Sequence, residues 1–259
     1  MGRARALEAD GRVDIAIEHL RALLAGESDD SDAALLLELA RLTDDAGEAL
    51  ALADEALDNT RDGRLRARAH VMRGDYLYAA GLYGQAVVEY AAAAGHDAPA
   101  DATLRRAAGL LALGDIAGAI KVYDAAASGD DDEITAWASI GRGRARLAGG
   151  DAVEAALELE RVADELTGRP IRACALAAAA DALIAHGDLA HARELLLLLS
   201  DEFPNTFEAT LALDRVKTLD RRMIELSEPA TETAGDDSTG STSAGTPPSD
   251  LAAPGREGE

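Results

Sequence analysis

Two arginines, Arg142 and Arg146, stand four positions apart. On a helix that spacing puts both guanidinium groups on one face, where their planar forks can jointly hold an acidic or carbonyl-rich segment. No other reactive residues are grouped as usefully. The five histidines (His19, His70, His96, His186, His191) are scattered, and the last two flank a turn rather than sharing the helical face that zinc would need. The run Asp131-Asp132-Glu133 lacks the spaced ligands and central glycine of a calcium loop; it suits the start of a helix, where carboxylates cap free N–H groups. Cys174 lies in an alanine-rich run and reads as a small buried apolar residue. The GRGR at 141–144 is two glycines in a helix. No nucleophile elbow, phosphate-binding loop or dinucleotide fingerprint is present. The expectation is a chain that is not an enzyme and takes no metal or cofactor.

Composition narrows the partners. The formal net charge is −23, which excludes a phosphate-neutralising nucleic-acid surface and disfavours an anionic membrane face. No apolar run approaches the length of a membrane span, and the first residues, MGRARALEAD, have no apolar signal core. With one cysteine there is no internal disulfide. The expected place is the cytoplasm, or the periplasm if the N-terminus is truncated. The expected partner is a protein or peptide segment.

The elements that must carry these residues are helices. Hydrophobic residues make up 48% of the chain but aromatics only 3%, and alanine, with 59 residues, fills the difference. Alanine is the best helix former and lets helices approach closely; β-branched alternation is absent, so the fold class is all-α. From Ser227 onward the composition shifts to Ser, Thr, Pro, Gly and acid with a single leucine. Residues 227–259 are therefore expected to be a disordered acidic tail, and residues 1–226 the folded body.

Within the body a pattern recurs. AGLYGQAVVEYAAAA, LGDIAGAIKVYDAAA, GGDAVEAALELERVA and HGDLAHARELLLLLS each have a glycine, an alanine five on and a bulky residue four beyond that. DGRVDIAIEHLRALL and TDDAGEALALADEAL follow with more drift. The anchoring alanines are Ala16, Ala49, Ala86, Ala119, Ala155 and Ala192, separated by 33, 37, 33, 36 and 37 positions. A period near 34 built of paired helices is the mark of a helical repeat array.

This pattern resembles the tetratricopeptide repeat family, whose unit reads W-x2-L-G-x2-Y, then A-x3-F, then Pro. Trp137-x2-Ile140-Gly141 matches the first half, Ala86-x3-Tyr90 and Ala119-x3-Tyr123 the second, and Pro204 follows Ala192 at the family's offset. Gly74 and Ala107 take the small position of their first helices. The resemblance implies a right-handed α-solenoid of antiparallel helix pairs, five to six repeats long, with Trp137, Tyr83 and Tyr90 in the core. If Trp137 sets the register of the fifth repeat, about two extra residues fall around Gly149-Gly150 and Arg144 takes the place of the family's tyrosine. The second repeat departs by having Leu37 where a small residue is usual, and the first has a shortened leading helix.

The resemblance also implies the function: a non-catalytic interaction scaffold or adaptor that binds a partner segment in its concave groove, lined by the first helix of each pair. Carried over, the groove residues are Glu38, Arg41, Arg68, Asp75, Tyr78 and Asp181, with Arg142 and Arg146 in the Trp137 register. Val71, Asp75, Leu104 and Ala108 stand where relatives that grip acidic chaperone tails carry Lys and Asn, so that ligand is not expected. A second expectation is an accessory subunit of a bacterial envelope machine, of Tol–Pal or outer-membrane assembly type, from the run ARELLLLLSDEFPNTFEATLALDRV. The helix around Phe207–Leu226 is expected to cap the array, with Leu211, Val216 and Leu219 inward.

Overall fold

The computed structural model describes residues 2–25 and 32–227, so residues 228–259 of the tail expected from Ser227, and the stretch GESDDS, lie outside the described residues, while Ser227 itself is the last residue of a helix. Thirteen α-helices and no strand occur among the described residues. They are α1 (Gly2–Ala9), α2 (Val13–Leu24), α3 (Asp32–Leu42), α4 (Ala46–Asn59), α5 (Gly63–Ala79), α6 (Tyr83–Ala94), α7 (Ala102–Ala112), α8 (Ile116–Ala127), α9 (Asp132–Ala148), α10 (Ala152–Glu165), α11 (Arg172–His186), α12 (Leu189–Glu202) and α13 (Phe207–Ser227). Each packs on its neighbours in the chain. The pairs α3–α5, α7–α9, α9–α11 and α11–α13 also touch, so the odd-numbered helices form one row and the even-numbered helices flank it. The result is an α-solenoid of six hairpins closed by α13.

The sequence pattern explains each hairpin. The six anchoring alanines sit on the even helices and are all completely buried. Five residues before five of them, Gly11, Gly81, Gly114, Gly150 and Gly187 take φ values of +73 to +97°. That left-handed conformation lets the chain reverse between paired helices, and a Cβ would strain it. The second repeat has Asp44 at this place and turns without such a glycine. Aspartates then start the helices: Asp45, Asp62, Asp115, Asp131 and Asp188 accept from the N–H groups of Glu48, Leu65, Gly118, Ile134 and His191 at 2.7–3.1 Å.

Inside each hairpin a small residue on the odd helix meets a bulky one on the even helix. A Cβ on Gly74 would lie 2.5 Å from the Tyr90 ring, and one on Gly143 would lie 2.5 Å from Leu159 Cγ. Ala4 with Leu20, and Ala180 with Leu196, repeat the pairing in shared buried clusters. In the second repeat the sizes are exchanged, with Leu37 on α3 and Ala53 on α4 in one cluster, both fully buried. This accounts for the departure at Leu37: the volume is kept and only its donor helix changes. In every hairpin the position of the small residue (Ala4, Leu37, Gly74, Ala107, Gly143, Ala180) precedes the anchoring alanine by twelve residues.

That constant spacing corrects the register of the fifth repeat. Gly143, and not Gly141, makes the close approach within its own hairpin; Gly141 faces Tyr123 of the preceding one, where a Cβ would run into the ring. The extra length therefore lies upstream of Gly143, at the start of α9, which has eleven residues before its small position where α7 has five, and not at Gly149-Gly150. Trp137 shifts with them. It is 37% exposed and is not a core residue. On α13, Ala209, Ala212, Val216 and Leu219 are buried while Leu211 is 49% exposed, so the inward face is one step round from the expected one.

Candidate groove and its charged frame

The row of odd helices carries two neighbouring hollows. One, of about 410 Å³, is lined by Arg41, Arg68, Val71, Met72, Asp75, Tyr76 and Ala79. The other, of about 460 Å³, lies among α5, α7 and α9, with Tyr78, Leu104, Leu111, Trp137 and Ile140 as its apolar wall and Arg105 and Arg144 among its lining residues. Tyr78 is held by an edge-to-face contact with Tyr83, ring centroids 5.0 Å apart. Val71 and Asp75 line the first hollow, Leu104 and Ala108 the second.

The acids and arginines expected in the groove are mostly bound to one another. Glu38, 2% exposed, accepts from Arg68 at 2.9 Å, Arg41 at 3.1 Å and Arg5 at 3.4 Å. Arg41 also spans both oxygens of Glu8, at 2.7 and 2.5 Å. Burial alone would raise the Glu38 carboxyl, but hydrogen bonds from Arg41 and Arg68 outweigh it and hold the group below the ordinary carboxylate value. The cluster joins α1, α3 and α5. Both Asp75 oxygens accept from Arg105 Nη1, at 2.8 and 2.9 Å, while the other Arg105 nitrogens bind Asp101, and Asp75 also accepts from the Tyr90 hydroxyl at 2.9 Å. Burial, then the bond to Asp75, pushes the Tyr90 phenol up. Asp181 binds Arg215 of α13. An acid on one odd helix thus binds an arginine on the next, at Glu38–Arg68, Asp75–Arg105 and Asp181–Arg215. These pairs staple successive repeats and shape the groove walls.

Arg142 and Arg146 are elsewhere. Arg142 binds Asp124 of α8 at 2.6 Å and Glu158 of α10 at 2.5 Å, and Arg146 reaches Glu158 at 3.1 Å. Both turn toward the even helices, and neither lines either of these two hollows. The reason is the register: Gly143 faces α10, so the neighbours that share its side follow. Arg144 is the residue on the groove side. It is exposed and makes no ion pair or side-chain hydrogen bond among the described residues. Arg105, Trp137 and Arg144 are among the groove residues that sequence reasoning missed; the twelve-residue step back from Ala155 to Gly143 sets the register that places Arg144 on this side. No three His, Cys, Asp or Glu side chains are grouped as a metal would require among the described residues, and no described helix is long and apolar enough to cross a membrane.

The structure is similar to a tetratricopeptide repeat protein from Parabacteroides merdae, at 16% identity and a TM-score of 0.63, over 87% of this chain and 94% of that one. It is similar to a Rap protein complexed with Competence and Sporulation Factor, at 16% identity and a TM-score of 0.52, over 86% and 74% of the two chains. A third likeness is to the assembly chaperone of RpL4, at 16% identity and a TM-score of 0.52, over 87% and 95%. At these identities the likeness shows the fold, a tetratricopeptide-like solenoid. No protein-family model and no curated protein matches the chain.

Proposed function

We propose that this chain is a non-catalytic interaction scaffold that holds a segment of a partner protein along its odd-helix groove. The observation that carries the reading is the hollow among α5, α7 and α9. It presents a half-exposed tryptophan and tyrosine, each 37% exposed, with an unpaired arginine among its lining residues, on an otherwise heavily self-paired surface. Aromatic and arginine side chains that become fully desolvated are the usual anchors of protein interfaces. An apolar side chain of the partner enters between Tyr78 and Trp137, and a carboxylate or backbone carbonyl meets Arg144. Glu38, Arg41, Arg68, Asp75 and Asp181 act as the frame, fixed by their mutual pairs. Arg142 and Arg146 leave the binding set. The helical body through α13 is the binding unit, and residues 228–259 are an appended acidic segment.

The residues behind the envelope-subunit expectation are accounted for by packing, since Leu196, Leu199, Ala209, Ala212 and Val216 of α12 and α13 are buried in the last core cluster.

Trp137 is the only tryptophan, so its emission reports the hollow directly. The test is affinity capture on the full chain beside Trp137→Ala and Arg144→Glu. A partner retained by the native chain should lose about 2 kcal/mol or more of affinity with Trp137→Ala, and should shift Trp137 emission when added to the native chain. A partner held equally by all three chains, with emission unchanged, refutes the groove.

A further inference from the structure

Three of the five outer seams between successive even helices carry an arginine at the same place in the twelve-residue register. In the seam between α4 and α6, Arg73 of α5 binds Asp54 and Glu89. In the seam between α8 and α10, Arg142 of α9 binds Asp124 and Glu158. Each arginine stands one residue before the small residue of its hairpin, and its acids occupy matching places on the two flanking helices. In the middle seam, between α6 and α8, Arg106 of α7 has that place, just before Ala107. The matching acid places hold Ala91 and Val122.

Arg106 makes no ion pair or side-chain hydrogen bond among the described residues. Its Nε is buried without an acceptor, as is that of Arg73, so the two stems are similarly seated; Arg73 differs in having both terminal nitrogens on carboxylates. Lys121 of α8 adds a second cation. It takes the place of Val88, which lines a hollow of about 290 Å³ beside Arg73. Lys121 is exposed, and it too has no ion pair among the described residues. In a chain of net charge −23, one of the three seams built around an arginine thus carries two cations and neither of its matching acids.

We propose that the α6–α8 seam is a second docking surface, on which Arg106 and Lys121 receive the carboxylates of an acidic segment of a partner protein. The neighbouring seams show the chemistry internally: an arginine fork bridging two carboxylates from opposite walls, with charge-assisted hydrogen bonds. The surface lies on the even-helix side and is independent of the groove.

The test is fluorescence anisotropy of a labelled deca-glutamate peptide with the full chain at low ionic strength. Binding should weaken at least about tenfold in Arg106→Gln/Lys121→Gln, the loss expected when two charge-assisted contacts go. Ala91→Asp/Val122→Glu rebuilds the internal acids, so it should abolish binding and raise the melting temperature. Lys121→Gln alone alters only an exposed side chain and should weaken binding at least about threefold, which keeps the test valid if Arg106 variants fold poorly. The proposal is overturned if the native chain does not bind the peptide, or if the variants bind within about twofold of it. Displacement by inorganic phosphate as effective as by unlabelled peptide would mean a simple anion site and overturn it too. So would tighter competition by a synthetic peptide of residues 228–259, which would make the chain's own terminus the occupant.

Discussion

Replacing Gly74 with alanine should destabilise the solenoid, although alanine is ordinarily the better helix residue. The gain in helix propensity is about 1 kcal/mol. Against it, the new methyl would lie 2.5, 2.7 and 3.0 Å from three ring carbons of Tyr90, well inside van der Waals contact. Tyr90 is 2% exposed and its hydroxyl is fixed on Asp75, both of whose oxygens accept from Arg105 Nη1. The next hairpin shows how a tyrosine accommodates an alanine: Tyr123, whose hairpin has Ala107, leans over Gly141 of the following repeat. For Tyr90 the corresponding place is Arg105, so that escape is closed. Overpacking costs about 1–3 kcal/mol, and with the ring blocked the upper part of that range applies, leaving a net loss of about 1–2 kcal/mol. For a body of this length that is a fall of about 2–8 °C in melting temperature, read by far-ultraviolet circular dichroism. Adding Tyr90→Leu creates the Ala–Leu pairing seen at Ala4–Leu20 and Ala180–Leu196, and should recover at least half of the loss relative to the sum of the single variants. A rise in melting temperature for Gly74→Ala, or a double variant no better than additive, would refute the close-approach argument.

Two glycines where an added methyl would meet open space should respond in opposite senses. Gly84→Ala, inside α6 at ordinary helical φ, should stabilise by about 0.4–1 kcal/mol, whereas Gly187→Ala, at φ +97°, should destabilise by about 1 kcal/mol or more in the same thermal melt. Glu38 should confer acid sensitivity. Its folded-state carboxyl is held below the ordinary carboxylate value that the unfolded chain has. The stabilisation is therefore fully present above that ordinary value and is lost as pH falls through the lower folded one. Glu38→Gln should melt well below the native chain at pH 7, the difference shrinking in acid; a constant difference across the titration would contradict it.

Much of this architecture was legible in residue spacing. The glycine five before an alanine encodes a reversal that needs positive φ, and the alanine encodes a close helix crossing; both are local and survive translation into sequence. The fifth repeat misled because Trp137-x2-Ile140-Gly141 copies a motif by residue type, whereas the physical requirement is a missing side chain opposite Leu159, which Gly143 meets. The charged frame was illegible for another reason. Whether Glu38 finds Arg68, or Asp75 finds Arg105, depends on how successive odd helices align, and a residue type that suits a partner suits an internal ion pair equally well. The shared thirty-residue separation of those two pairs is a signal that a search across repeats would detect. Arg144 stood out only once its neighbours were seen to be bound.

The exchange of sizes between Leu37 and Ala53 has a consequence for inheritance and engineering of the array. Repeats of this kind invite recombination, but here single helices are not interchangeable currency. Grafting α6 opposite α3 would drive Tyr90 into Leu37, and grafting α4 opposite α5 would leave Ala53 facing Gly74 across an empty gap. The hairpin, with its fixed twelve-residue step, is the smallest piece that can be copied or shuffled intact, and the links between hairpins, where the length already varies, are where such a lineage can be cut and rejoined.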